Sequence, residues 1–145
     1  MHTAAMATPP PRWLVRMNIA LLRRGLRVGS QALLTLPGRS TGRPRATPVS
    51  VVTVGGHRDL VAAFADAAWV GNARAAGTGT LGRGRDAEPI RLVELPAAER
   101  GPILRAFLDD VRGGRRFFDD PRPETVVANA ERYPVFRVVA EAELG

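Results

Sequence analysis

The sequence of 145 residues contains no cysteine and no lysine, and only two tryptophans and one tyrosine. Without cysteine, the chain cannot form a disulfide, a thiolate metal site or a catalytic thiol, which fits a cytoplasmic protein. His2 and His57 are the only histidines and lie far apart, so we expect neither a histidine metal site nor a Ser-His-Asp triad. The sequence has no long apolar run, so we expect no transmembrane span. Its first residues lack a basic segment followed by an apolar core, so we expect no signal peptide.

Positive charge dominates the first part of the chain. Residues 1–58 contain nine arginines and no carboxylate, and the first acidic residue is Asp59. The remaining residues contain twelve arginines and all fourteen acids. This asymmetry points to an anionic partner: a phosphate-bearing cofactor, a membrane surface or a nucleic acid. Because the basic part has few aromatic residues on which bases could stack, we expect no nucleic-acid partner.

Hydrophobic periodicity and turn residues divide the chain into short elements. We predict a disordered tail over residues 1–11 and a single domain over residues 12–145. The predicted strands are 31–36, 46–54, 59–64, 78–81, 87–95 and 134–140, and the predicted helices are 12–28, 66–76, 102–111 and a short one within 124–131. Long βαβ units are lacking, so an α+β fold around a small, mostly antiparallel barrel fits this order best.

The predicted helix 12–28 is amphipathic and basic. Its apolar stripe recurs at helical spacing and consists of Trp13, Leu14, Met17, Leu21 and Val28. Arginines cover its other faces. We expect the stripe to pack against the barrel. The alternative is a peripheral contact with an anionic membrane, which a basic amphipathic helix can make.

The predicted helix 66–76 has a start signal and a stop signal. Asp66 suits the N-cap, because its carboxylate can accept a backbone N–H, and Gly77 suits the position that ends the helix. Helix 102–111 has a proline in its first turn, and its predicted buried stripe is Ile103, Leu104, Phe107, Leu108 and Val111.

A loop rich in glycine and arginine follows the first strand. Residues 38–45 contain two glycines, two hydroxyl side chains and three arginines. Glycine lets backbone N–H groups turn toward a ligand, hydroxyls add donors, and arginine offers a planar fork for phosphate or carboxylate. The composition therefore predicts an anion-binding loop. A solvated, arginine-rich hairpin turn would have the same composition.

The pattern Gly-Arg-x-Thr-Gly-x-Pro-Arg-x-Thr-Pro over residues 38–48 resembles the deazaflavin-dependent nitroreductase family. Two weaker matches follow in the family's order: Trp69-x-x-Asn72, and the closing segment 133–138. Members of that family are split β-barrel proteins that bind the reduced deazaflavin coenzyme F-420. The resemblance therefore implies a small split β-barrel of mostly antiparallel strands with flanking short helices, and one cofactor-binding domain over residues 12–145.

The resemblance also implies a cofactor site. Matching by position assigns the anionic tail of F-420 to the loop and the following strand, and its ring to the end of the next strand and the short helix after it. The residues so assigned are Arg39, Ser40, Thr41, Arg45, Thr47, Pro48, Val49, Ser50, Ala62, Ala63, Phe64, Ala65, Ala68, Trp69 and Asn72. Many members have Lys or Arg in place of Ser40, and some have tyrosines over the substrate side, where this chain offers Phe117 and Phe118. The catalytic residues and the proton donor are therefore left unassigned.

The implied function is an oxidoreductase that transfers a hydride from reduced F-420 to a quinone, an activated alkene or a nitroaromatic compound. FMN is the less expected cofactor, but it stays an alternative because related split barrels bind it through a similar phosphate site. The alternative is a non-enzymatic protein on the same fold that binds lipids or other small ligands. We expect a monomer or a homodimer, without a metal.

Overall fold

In the part of the chain that the structure describes, six antiparallel strands close into a barrel. The computed structural model describes residues 11–25, 31–111 and 114–141. The strands are β1 (Gln31–Pro37), β2 (Pro44–Val54), β3 (His57–Val61), β4 (Thr78–Gly82), β5 (Glu88–Glu94) and β6 (Val135–Ala140). They pair in the order β1-β2-β3-β6-β5-β4, and β4 returns to β1. The predicted α+β small barrel is confirmed.

Within the described ranges, four α-helices flank this barrel: α1 (Arg12–Arg23), α2 (Ala68–Ala76), α3 (Gly101–Asp110) and α4 (Pro123–Ala128). Short 3-10 turns join several of the elements. The predicted tail 1–11 lies outside the described residues except for Pro11, whose carbonyl accepts the N–H groups of Leu14 and Val15. That residues 12–145 act as one domain stays a prediction.

Helix α1 differs from its prediction in length and in orientation. It ends at Arg23 because Gly25 adopts a left-handed φ of 81°, a backbone conformation that stops a helix. Val28 lies outside the described residues. Trp13 and Met17, predicted in the buried stripe, are 67% and 45% exposed, while Leu22 is fully buried. Leu14 and Leu21 of the stripe are half-buried, so only its Trp13–Met17 edge faces outward, and the face that contains Leu22 packs against β1 and β2.

Strand β2 contributes to two cores because both of its faces are covered. Its side chains alternate between the two faces: Val49 and Val51 pack inside the barrel, and Val52 and Val54 pack outside it. The outer cluster is completed by the stripe of α3, and its buried members there are Ile103, Leu104, Phe107 and Leu108, followed by Val111. Successive side chains of a strand point to opposite faces, so one apolar strand can join the two clusters.

Two predicted boundaries in the β3–α2 segment were wrong. Strand β3 ends at Val61 and not at residue 64, because the chain turns, with the N–H of Ala67 bonding to the carbonyl of Phe64. Helix α2 begins at Ala68, and Ala67, not Asp66, occupies the N-cap without a side-chain cap. At the other end, the predicted stop at Gly77 is confirmed by its left-handed φ of 71°.

A buried ion pair links β3 and β6. Asp59 and Arg137 are partners across the two strands, and the Nε of Arg137 donates to Oδ1 of Asp59 at 3.2 Å. Asp59 is fully buried, and its Oδ2 has no hydrogen-bond partner among the described residues. Burial raises the pKa of the Asp59 carboxyl, and the hydrogen bond from Arg137 offsets only part of that rise.

Replacing Asp59 with asparagine tests this balance. The folded state raises the carboxyl pKa above its usual value of 3.8. The free energy of unfolding should therefore fall as the pH rises from the pKa of the unfolded state to the higher pKa of the folded state. Asp59→Asn keeps an oxygen for Arg137 and removes the charge. We expect a higher Tm than wild type at pH 7 and a flatter dependence of Tm on pH, measured by circular dichroism between pH 4 and 8. The exposed Asp86→Asn is the matched control, and a lower Tm for Asp59→Asn at every pH would contradict the interpretation.

Candidate functional site

A basic cleft lies between the β1–β2 loop and helix α2, with a volume of about 340 Å³. Its walls include eight of the predicted site residues: Arg39, Ser40, Thr41, Arg45, Thr47, Ala68, Trp69 and Asn72. Leu36, Gly38 and Ala46 complete its lining. We call this space the basic cleft.

The loop that forms one side of the basic cleft is held in a tight turn. Pairing between β1 and β2 continues to Pro37 and Pro44. Beyond that pair, the N–H of Gly38 donates to the carbonyl of Arg43, and the N–H of Gly42 donates to the carbonyl of Gly38, each at 2.8 Å. Gly42 has a left-handed φ of 74°, which glycine adopts without steric cost. The loop is therefore ordered by its own backbone.

Arg39 fastens this loop to helix α2. Its backbone N–H and its Nη1 both donate to Oδ1 of Asn72 at 3.0 Å, and Nη1 also donates to the carbonyl of Ala68 at 3.1 Å. Its guanidinium lies so close to Gly71 that a Cβ there would come within 2.9 Å of Nη1. Asn72 is buried. The two segments that the sequence singles out separately, 38–48 and Trp69-x-x-Asn72, are thus joined by a hydrogen-bonded clamp.

Arg45, which lines the cleft, and Arg43, in the same loop, are not neutralised by any carboxylate among the described residues. Both side chains are exposed. Ser40 is also exposed, and Thr41 accepts the N–H of Arg43 at 3.2 Å. The cleft therefore presents positive charge and hydroxyl groups to solvent, which suits an anionic ligand.

An apolar cavity of about 260 Å³ adjoins the basic cleft, and Thr47 and Trp69 line both. The predicted residues that line the cavity are Thr47, Pro48, Val49, Ser50, Ala62, Ala63, Phe64 and Trp69. Of all the predicted site residues, only Ala65 lines neither space, and it is exposed beyond the end of β3. The structure therefore brings the other predicted residues together in two connected spaces.

Aromatic rings shape the apolar cavity. Phe64 and Phe117 meet edge to face, with ring centroids 5.8 Å apart. Trp69 packs on Phe136 at 5.5 Å, so it belongs to the core and also forms a wall of both spaces. The expectation that Phe118 lies over the substrate side was wrong: it is buried between Phe107 and Tyr133, with ring centroids 5.8 Å and 4.9 Å away.

Sequence reasoning missed the parts of the cavity that come from distant helices. Val15 and Asn18 reach it from α1, Phe107 reaches it from α3, and Gln31 reaches it from the start of β1. No local pattern marks these residues as site residues, because each belongs to an amphipathic helix or a strand whose neighbours only packing decides. Their contribution is visible only once the helices are docked on β2.

The cavity holds no ionisable group: among the described residues that line it, hydrogen bonding is limited to the backbone and to neutral side chains such as Thr47 and Ser50. Tyr133 does not line the cavity, and burial raises the pKa of its hydroxyl. The described residues also contain no group of three His, Asp or Glu side chains that could hold a metal ion. In the same ranges, no helix is both long and apolar enough to cross a membrane.

A protein-family model matches most of the chain. The model described as F420H(2)-dependent quinone reductase matches residues 12–113. No curated protein matches the chain at a significant level.

Solved structures share the fold. A structure described as a domain-swapped dimer has a TM-score of 0.59 at 21% identity, covering 87% of this chain and 96% of that chain. The F420-H2 Dependent Reductase FDR-A has a TM-score of 0.52 at 22% identity, covering 75% and 93%. A protein of unknown function from Agrobacterium tumefaciens str. C58 has a TM-score of 0.52 at 14% identity, covering 94% and 59%. At these identities, the likeness shows the fold alone.

Removing the acceptor of the Arg39 clamp tests how much the clamp contributes to stability. Asn72→Ala leaves two N–H groups of Arg39 without their partner, so we expect the free energy of unfolding to fall by about 1–2 kcal/mol, as measured by urea denaturation. Asn72→Asp keeps the acceptor and places a negative charge beside the guanidinium, so its free energy of unfolding should fall clearly less than that of Asn72→Ala. Equal losses in the two variants would mean that the clamp contributes little.

Proposed function

Because the chain belongs to the F420H(2)-dependent quinone reductase family, we propose that its two adjoining spaces hold reduced coenzyme F-420 and bring its ring against a neutral, electron-poor substrate. The enzyme is an F-420-dependent oxidoreductase. The observation that supports the placement is the continuity of a basic cleft with an apolar cavity through Thr47 and Trp69. An elongated cofactor with an anionic tail and a flat ring needs both.

The basic cleft fits the tail by its donors. The phospholactyl and oligoglutamate groups of F-420 carry only negative charge, and Arg45 is an exposed guanidinium without a carboxylate partner among the described residues. Nη1 of Arg39 is occupied by the clamp, and its Nε and Nη2 are the N–H groups left to bind a ligand. Ser40 and Thr41 add hydroxyls at the same wall. Charge-assisted hydrogen bonds of this kind are about twice as strong as neutral ones.

The apolar cavity fits the ring by its shape and composition. Pro48, Val49, Phe64 and Trp69 offer flat or aliphatic surfaces, and no charged side chain of the described residues enters the cavity. A ring bound there would be held by dispersion and by the removal of apolar surface from water. The closed β-barrel beneath it keeps the wall rigid.

When bound, reduced F-420 supplies a hydride. The chain's own residues bind the tail, orient the ring and exclude water from the cavity, which is what a protein contributes to cofactor chemistry. The lack of charge in the cavity favours a neutral acceptor: a quinone, an activated alkene or, adventitiously, a nitroaromatic compound. The proton that completes the reduction then comes from water.

Arg45 is the residue whose replacement tests the tail site most directly. We expect Arg45→Ala to weaken binding of F-420 about tenfold or more, because a charge-assisted hydrogen bond contributes roughly 1.5–3 kcal/mol. The Kd is measured by titrating the purified protein with oxidised F-420 and following the cofactor's fluorescence. Arg91→Ala, which removes an exposed arginine of β5, is the matched control and should leave the Kd unchanged.

A parallel titration with FMN separates the two candidate cofactors. F-420 should bind at low micromolar concentration and FMN more weakly. The proposed site is wrong if Arg45→Ala and Arg91→Ala weaken the binding of F-420 equally, since affinity would then depend on the net charge of the protein and not on the position of the arginine. Binding of neither cofactor at tens of micromolar would remove the basis for the placement of both tail and ring.

We also propose that α1 makes a peripheral contact with anionic lipid. Trp13 and Met17 lie one turn apart on its exposed face, at 67% and 45% exposure, with Arg12 and Arg16 beside them and no acidic residue in the first turn. Apolar and aromatic side chains flanked by arginines suit the boundary between headgroups and acyl chains. On this proposal the enzyme works in the cytoplasm, at a membrane surface.

Vesicle sedimentation tests this contact. Wild-type protein should bind vesicles of phosphatidylglycerol and phosphatidylcholine, and the double variant Trp13→Ala/Met17→Ala should bind about tenfold more weakly, because most of the exposed apolar area of α1 is lost. Val93→Ala removes an apolar side chain of 44% exposure on β5 and should bind as wild type. Equal binding of all three proteins would show that α1 is not the contact.

A further inference from the structure

One wall of the apolar cavity is polar. Asn18, Gln31 and Ser50 all line the cavity and are half-buried. Gln31 and Ser50 are opposite one another in the pairing of β1 with β2. From α1, Nδ2 of Asn18 donates to Oε1 of Gln31 at 3.2 Å. The packing of α1 on the barrel thus assembles three neutral hydrogen-bonding side chains in a space that is otherwise mostly apolar.

This polar wall lies away from the basic cleft. Thr47 belongs to both spaces, and Ser50 is three residues further along β2, a distance of about 10 Å along an extended strand. Gln31 is the first residue of β1, at the opposite end of that strand from the loop that begins after Pro37. A ligand group bound at this wall is therefore remote from the groups that hold an anionic tail.

The hydrogen bond within the wall decides which groups remain to bind a ligand. Oε1 of Gln31 is occupied as an acceptor by Asn18. The Nε2 of Gln31 and the hydroxyl of Ser50 make no hydrogen bond to another residue in the described ranges and are left as donors. A pair of neutral donors matches an oxygen that only accepts, such as a carbonyl, whereas a carboxylate would need a cation.

On the premise of the proposed function, we propose that Gln31 and Ser50, with Asn18 orienting Gln31, form a subsite that binds a carbonyl oxygen of the neutral substrate. In the two-electron exchange, the quinone gains a hydride from reduced F-420 and a proton from water, and the proton that reduced F-420 loses goes to water. Negative charge grows on the quinone oxygens as the hydride arrives, so donors at one of them bind the transition state more strongly than the ground state. Asn18 is a positioning residue because it acts through Gln31.

Menadione and 2-methylnaphthalene together test the subsite, since they share a carbon skeleton and only menadione has carbonyls. Binding is followed by quenching of Trp69, which lines the cavity, in a Trp13→Phe background. We expect Gln31→Met to weaken menadione binding about fivefold, the loss of one neutral hydrogen bond, and to leave 2-methylnaphthalene binding within about twofold of wild type. Ser50→Ala should act in the same direction, while Thr53→Val, an exposed hydroxyl loss on the same strand, should change neither ligand.

Steady-state kinetics and the F-420 titration complete the test. With saturating reduced F-420, Gln31→Met should lower kcat/KM for menadione at least as much as it weakens menadione binding, and the Kd of F-420 should stay within about twofold. If the Kd of F-420 weakens instead of menadione binding, the wall holds a carbonyl of the cofactor ring and the proposal is wrong. The proposal is also wrong if Gln31→Met weakens the binding of menadione and of 2-methylnaphthalene equally, since the substitution would then have changed the shape of the cavity and not removed a hydrogen bond.

The two proposals can fail separately. In one outcome, the wild-type protein fails to bind F-420 while Gln31→Met still binds menadione more weakly than Thr53→Val does. In that case the carbonyl subsite is supported and the proposed function is wrong. Urea denaturation of each variant checks that the comparison is made between folded proteins.

Discussion

Much of the site depends on the hydrogen bonds between Arg39 and Asn72. The backbone N–H and the guanidinium of Arg39 share the amide oxygen of a buried side chain on α2, so the position of the basic loop is set by a helix more than thirty residues away. The clamp also fixes the orientation of α2 and hence of Trp69, one turn before Asn72. Without it, the loop would keep the turn made by its own backbone but would lose its attachment to α2.

Strand β2 is the second constraint, because it takes part in every layer of the molecule. Val49 and Val51 fill the barrel, and Val52 and Val54 hold α3. The segment between Thr47 and Ser50 forms the floor that runs from the basic cleft into the apolar cavity. The same strand therefore transmits the rigidity of two cores to the site.

The sequence predicted the strands, most helix positions and most of the residues that line the two spaces. The predicted dependence on F-420 is confirmed by the family to which the chain belongs. The errors share one cause: a position was assigned from local chemistry where packing decides. Asp66 has the right side chain for an N-cap, but the helix begins two residues later. Trp13 has the right spacing for a buried stripe, but the other face of α1 meets the barrel.

What the sequence determined by itself is local: the alternation that makes strands, the glycines that turn the loop, the excess of arginine before Asp59, and the order of segments that marks the family. These follow from the side chain and backbone preferences of neighbouring residues. Tertiary structure alone decided that Asn72 accepts hydrogen bonds from Arg39 and that Asn18 of α1 donates to Gln31 of β1. It also decided that Phe118 is buried in the core while Phe117 lines the apolar cavity. Those contacts join residues distant in the chain, and their geometry is set by how the helices dock on a closed barrel.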